Sequence, residues 1–131
     1  MSKQRLNIEY ELKSNSQGII WNFISTASGL SRWLADDVQK NGDELTFTWG
    51  DTSSHHEIRK AKILSIVKYS LIRFHWEDDS KDYFVEMRME KSDLTGSYVL
   101  AVTDFADQED IDDLHYIWDQ NIEKLHMTSG M

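Results

Sequence analysis

At 131 residues, with 40% hydrophobic and 28% charged side chains, the chain reads as one globular domain over residues 1–131, able to bury roughly two thirds of its unfolded surface. A formal net charge of −9 argues against nucleic acid and against anionic lipid surfaces, both of which need a basic patch. The absence of cysteine excludes disulfides, thiolate metal sites and cysteine nucleophiles. Basic residues near the start alternate with acidic and polar ones and no apolar run follows. The reading is neither a signal peptide nor a membrane span, and the expected compartment is the cytoplasm.

The first element is a half-buried strand, in which Leu6, Ile8, Tyr10 and Leu12 alternate with Asn7, Glu9 and Glu11. Ser14 and Gln17 then stand at capping-box spacing, and Ile20, Phe23 and Ile24 share one helical face, which predicts a short helix over residues 15–25. Ser28 is placed to cap a second short turn carrying Leu30, Trp33 and Leu34. From there to residue 105 the pattern is nearly all strand. Asn41-Gly42 is a hairpin signal joining a strand near Val38 to Leu45, Phe47 and Trp49. A strand over residues 55–67 puts Ile58, Leu64 and Ile66 in phase, with Ile63 and Val67 out of phase. Ile72, Phe74 and Trp76 form the next strand, and a turn leads to Tyr83, Val85, Met87 and Met89. Tyr98, Leu100 and Val102 share one side of the last.

The chain closes with a long amphipathic helix. Ile111, Leu114, Trp118, Ile122 and Leu125 recur at three and four residues, widened by Ile117. Acidic residues crowd its start, and Lys124 and His126 its end, as the helix dipole favours. The order is therefore β, two short helices, about six further strands and one helix: an α+β fold with a curved antiparallel sheet of six to seven strands wrapped on the C-terminal helix. Such a helix is roughly 30 Å long and 10 Å wide, too narrow to cover the whole concave face. Large side chains fill the remainder, or a cavity does.

Candidate residues follow from this geometry. Trp33, Phe47, Trp49, Phe74, Trp76, Met87 and Trp118 read either as core or as the lining of a hollow for a small apolar or lipid-like ligand. Asp36 and Asp37 stand beside the aromatic segment and read either as an acid–base pair or as ligands of backbone amides. Glu57, Arg88 and Asp104 are further candidates for the groove, although alternation puts Arg88 on the outer face. The histidines His55, His56, His75, His115 and His126 show no metal-binding spacing, and neighbours on a strand point to opposite faces. The acidic stretch after Asp104 lacks the ligand order of a calcium loop. No metal, cofactor or catalytic set is expected.

SGLSRWLADDV and VTDFADQEDIDDLHYIWDQNIEKLH resemble the signature of a compact bacterial family within the helix-grip, or START-like (SRPBCC), superfamily. That superfamily includes lipid-transfer domains, pollen allergens, polyketide cyclases and activators of a heat-shock chaperone's ATPase. Gly29, Leu30, Ser31, Trp33, Ala35, Asp36, Asp37 and Val38 match the first motif. Val102, Thr103, Asp104, Phe105, Ala106 and Trp118 match the second. The resemblance implies a fold and a pocket but carries over no catalytic residues. Three readings follow: a non-enzymatic binder of a small hydrophobic ligand in which closure of the 26–38 loop, with Trp33 as its plug, controls access; a cyclase- or hydrolase-like enzyme using an ionisable group in the groove; and a protein-interaction module presenting the acidic helix start or the sheet face to a basic partner. Five tryptophans in so small a chain also leave aromatic surface for a homodimer.

Overall fold

Seven strands form one antiparallel sheet in the order β1-β7-β6-β5-β4-β3-β2. The computed structural model describes residues 2–50 and 56–131; His55, and with it the expected start of the fourth strand, lies outside them. The strands are β1 (Gln4–Glu11), β2 (Asp37–Asn41), β3 (Glu44–Gly50), β4 (His56–Val67), β5 (Leu71–Trp76), β6 (Val85–Lys91) and β7 (Tyr98–Ala106). The run from β2 to β7 is a meander, as short turns between neighbours dictate. β1 instead pairs with β7, with Ile8 opposite Val102. The chain must therefore travel from one edge of the sheet to the other before β2. Six inter-strand spacings make that distance about 29 Å, and helices α1 (Gln17–Ser25) and α2 (Ala27–Leu30) cross it. Helix α3 (Ile111–Ser129) follows one 3-10 turn at Gln108–Asp110 and ends at Gly130, whose φ of 74° supplies the left-handed cap.

The core lies between the sheet and this helical layer. Ile20, Phe23 and Ile24 of α1 are buried, as are Trp118, Ile122 and Leu125 of α3. They meet Leu45, Phe47, Ile72, Phe74, Met87 and Leu100 from the inward positions of the strands.

The local details correct the sequence reading in three places. The Ser14–Gln17 capping box does not form: the N-cap of α1 is Ser16, and the Ser14 hydroxyl instead accepts from the Ser16 amide at 3.0 Å. The cap of α2 is Thr26, not Ser28, with its hydroxyl accepting from Gly29 N at 2.9 Å. In β4 the expected phase fails because the pairing with β5 shifts between Ile63 and Ser65. Before that bulge, Ile63 faces the core opposite Phe74 and Ile58 is exposed; after it, Ile66 returns to the inner side opposite Ile72. One inserted residue reverses the parity on which the reading depended.

The β2–β3 hairpin forms where Asn41-Gly42 signals it, but Asn41 ends β2 opposite Glu44 instead of sitting in the turn. Its two-residue loop is Gly42-Asp43, and Gly42 takes a φ of 64°. Gly29 answers a different need. A Cβ at that position would lie 2.0 Å from the carbonyl oxygen of Asn22, so only glycine lets α2 fold back against α1. Gly18, in the first turn of α1, has open space around it. Substituting Gly29→Ala is accordingly expected to cost about 1–3 kcal/mol by overpacking against backbone. Gly18→Ala should gain up to about 1 kcal/mol through helix propensity. Urea unfolding of the two variants checks both signs.

Candidate functional site

α3 does not lie flush on the sheet along its whole length. Trp118, Ile122 and Leu125 are buried, whereas Leu114 is half-buried and Ile117 is 53% exposed. Beneath this first half of the helix lies a cavity of about 470 Å³ that opens to solvent. Trp49, Phe74, Trp76 and Trp118 form its aromatic wall, with Leu114 and Ile117 as its roof.

The strands position these rings by parity. Phe47 and Trp49 sit two apart on β3, Phe74 and Trp76 two apart on β5, so all four point inward. Phe47 is at the centre of the cluster. Its ring stacks on Trp49 at 5.9 Å, meets Phe74 at 5.5 Å and meets Trp76 edge-on at 5.1 Å. Each such pair adds roughly 0.5–1.5 kcal/mol beyond buried area, which holds the two half-buried indoles in place. The Trp49 indole N–H also donates to the Leu34 carbonyl at 3.1 Å, tying the sheet to the segment after α2.

Of the seven aromatic and methionine positions singled out from the sequence, Trp49, Phe74, Trp76 and Trp118 line the cavity; Trp33, Phe47 and Met87 are fully buried behind it. Trp33 lies 6.2 Å from the Trp118 ring and donates its indole N–H to the Phe23 carbonyl at 2.8 Å. An indole with no exposed surface and a satisfied N–H anchors its segment; it does not swing across an opening. Two polar residues of the same motif bond to backbone. Ser31 Oγ accepts from Val38 N at 2.9 Å, and Asp36 Oδ2 accepts from Gly50 N at 2.6 Å. Asp37 is exposed and its carboxylate lies 3.4 Å from Gln39 Nε2. The two aspartates thus diverge, and neither lines the cavity.

Polar groups reach the cavity from other elements. Asp104 shares the inward phase of Leu100 and Val102 on β7. Its Oδ2 accepts from Trp118 Nε1 at 2.9 Å and its Oδ1 from the Phe105 amide at 2.7 Å. Burial pushes the Asp104 carboxyl above the ordinary carboxylate range; these two hydrogen bonds and the more distant positive charges of Lys3 and Arg59 only partly offset it. Glu57 and Arg59 share the inward phase of Ala61 on β4 and also line the cavity. The Arg59 guanidinium lies over the Trp76 ring at 4.1 Å and donates to Asp78 at 2.9 Å. At the rim, Lys3 pairs with Asp79 and its amide donates to the Tyr83 hydroxyl at 3.2 Å. Burial raises the Asp79 carboxyl, but Lys3, the Ser80 amide and the Arg59 charge together outweigh it and hold the group below its ordinary range.

Arg88 lies on the outer face. There Glu86 accepts from Arg73 Nη2 at 2.7 Å and has the Arg88 guanidinium at 3.6 Å. Among the described residues no group of three or more His, Cys, Asp or Glu could hold a metal ion. No helix among the described residues is long and apolar enough to cross a membrane.

The sequence reading missed Phe84, Phe105, Tyr83 and Lys3, all at the rim. Tyr83 and Phe105 are 5.5 Å apart, and Phe84 and Phe105 5.1 Å. These rings sit in a loop or out of strand phase, so alternation gives no sign of them. Glu57 and Asp104, both candidates from the sequence, do line the cavity; Arg59 could have been found as well, because strand parity alone points it inward.

A seven-stranded antiparallel sheet gripping one C-terminal helix over a cavity is the helix-grip architecture. The profile of the START-like superfamily domain matches residues 1–131, and the chain belongs to that superfamily. The solution structure of BfR322 from Bacteroides fragilis is similar at 43% identity, over 98% of this chain and 92% of that one, with a TM-score of 0.65. Two more distant structures share the fold. One is the Aha1 dimer from Colwellia psychrerythraea, with 12% identity over 93% and 92% of the two chains and a TM-score of 0.72. The other is the AHSA1-like protein from Aeromonas hydrophila, with 11% identity over 95% and 94% and a TM-score of 0.73. No curated protein matches the chain.

The raised carboxyl of Asp104 has a signed consequence. The folded state holds this proton more tightly than the unfolded chain, so the group's stabilising contribution is complete below the unfolded pKa, about 3.9. It is lost as pH rises through the folded value. An Asp104→Asn variant lacks that loss. Its stability relative to the parent should therefore increase as pH rises from the acid range to neutrality, as thermal unfolding across a pH series would register.

Proposed function

We propose that this START-like domain binds a small, mostly apolar molecule between the sheet and α3 without transforming it. The carrying observation is the cavity itself: about 470 Å³, walled by Trp49, Phe74, Trp76 and Trp118 and furnished with a few polar side chains. Ligand pockets are commonly about 300–1,000 Å³, mainly apolar, with a small number of fixed polar groups. The aromatic wall supplies contact area at low entropic cost, because these rings are already locked by their neighbours. Asp104, Arg59 and Glu57 then choose the ligand's polar end.

A second reading, general-acid catalysis of the cyclase or hydrolase kind, draws on Asp104. Its carboxyl is held toward the protonated form inside the cavity, which suits a proton donor. The two readings differ in what leaves the protein: an unchanged ligand or a product.

The test is native mass spectrometry of the protein purified from its own cells, followed by release and identification of any small molecule. A stoichiometric organic adduct is expected. Leu114→Trp, which fills the space under the roof, should reduce its occupancy about tenfold or more, equivalent to roughly 1.4 kcal/mol of binding. A parent protein free of adduct that also takes up none from a lipid and metabolite extract would contradict the proposal.

A further inference from the structure

The charges around the cavity are not evenly matched. Lys3 is paired with Asp79, and Arg59 with Asp78 while it lies over Trp76. The carboxylates of Glu57 and Asp104 also face the cavity, and neither forms an ion pair with a described cation. Glu57 is exposed and solvated. Asp104 is different, because both of its hydrogen bonds come from neutral donors, the Trp118 indole and the Phe105 amide. A half-buried carboxylate whose hydrogen bonds come only from neutral donors has no direct ion-pair partner, and Lys3 and Arg59 act on it only from a distance. Ring faces, which attract cations through their quadrupole, surround the same space.

Building on the proposed binding role, we infer that the cavity selects an organic cation: a ligand whose apolar body lies against the Trp49–Trp76 wall and whose ammonium group meets the Asp104 carboxylate beside Trp118. A carboxylate ligand would meet Asp104 as a like charge. A neutral one would leave it without a counter-ion. The raised carboxyl of Asp104 is in keeping with this, since an ammonium partner would supply the compensation the empty site lacks. Arg59 sets the limit of the cationic end: its guanidinium already covers one part of Trp76 and is held there by Asp78. The ammonium is therefore directed to the Asp104 side of the cavity.

Three probes of one shape separate the possibilities: 4-phenylbutylamine, 4-phenylbutan-1-ol and 4-phenylbutyrate, titrated calorimetrically at neutral pH into the parent and Asp104→Asn. The amine is expected to bind about tenfold tighter than the alcohol, with the acid weakest. In Asp104→Asn that preference, read as the ratio of amine to alcohol affinity within the variant itself, should fall to about twofold, so that any change in the cavity common to both probes cancels. An alcohol that equals or exceeds the amine in the parent overturns the cation inference and leaves the binding role standing. An amine preference that survives in Asp104→Asn assigns it to the general field of an acidic protein and overturns the role of Asp104. If none of the three binds, the binding role fails and takes this inference with it.

Discussion

The hydrogen bond from the Trp118 indole to the Asp104 carboxylate stands where the interface between α3 and the sheet changes character. Towards the C-terminus, Ile122 and Leu125 are buried against the strands; towards the N-terminus, Leu114 and Ile117 rise away and the cavity begins. A bond to a charged group of this kind contributes roughly 1.5–3 kcal/mol. It fixes the helix's height over β7 at the one point where the ring must both seal the core and face the hollow. Trp33 supports it from behind, with its own N–H committed to the Phe23 carbonyl. The packing of α1, the turn at Gly29 and the seating of α3 are thus mechanically linked through two indoles.

The cavity follows from dimensions. Seven strands span about 29 Å, and one helix is about 10–12 Å across with its side chains. The sheet's inner face is therefore covered in part by α3, in part by the α1–α2 crossing, and otherwise by the sheet's own aromatic residues. Phe47 and Phe74 fill the floor between them, and Trp49 and Trp76 stand higher with part of their surface open. Clustered rings, each holding its neighbours, make a wall that stays open without a ligand to prop it.

Much of this architecture is legible in the residues. Period-two alternation in β1, β5 and β7, the Asn41-Gly42 turn and the stripe on α3 point to the fold. The geometric mismatch between one helix and a wide sheet points to a hollow. Legibility ended where a single residue altered the parity, as at the β4 bulge, and where several polar residues competed to cap a helix, as with Ser14, Ser16, Thr26 and Ser28. It ended as well at the difference between Trp33 and Trp49. Both are tryptophans beside small turns, and only the three-dimensional arrangement puts one behind the wall and the other in it. Asp104 lay within a recognisable motif, but that its carboxylate forms no direct ion pair among the described residues depends on how β7, α3 and the N-terminal residues meet.

The central claim is that the space beneath the first half of α3 is open and apolar. Xenon enters such cavities and is indifferent to ligand chemistry, and the five tryptophans provide separate indole N–H signals as reporters. Under xenon pressure, the NMR signals of Trp49, Trp76 and Trp118 should shift with saturating dependence, while that of Trp21, away from the lining, stays in place. Signals that all remain still, or all drift together linearly with pressure, would mean that helix and sheet close on each other and that no binding cavity exists.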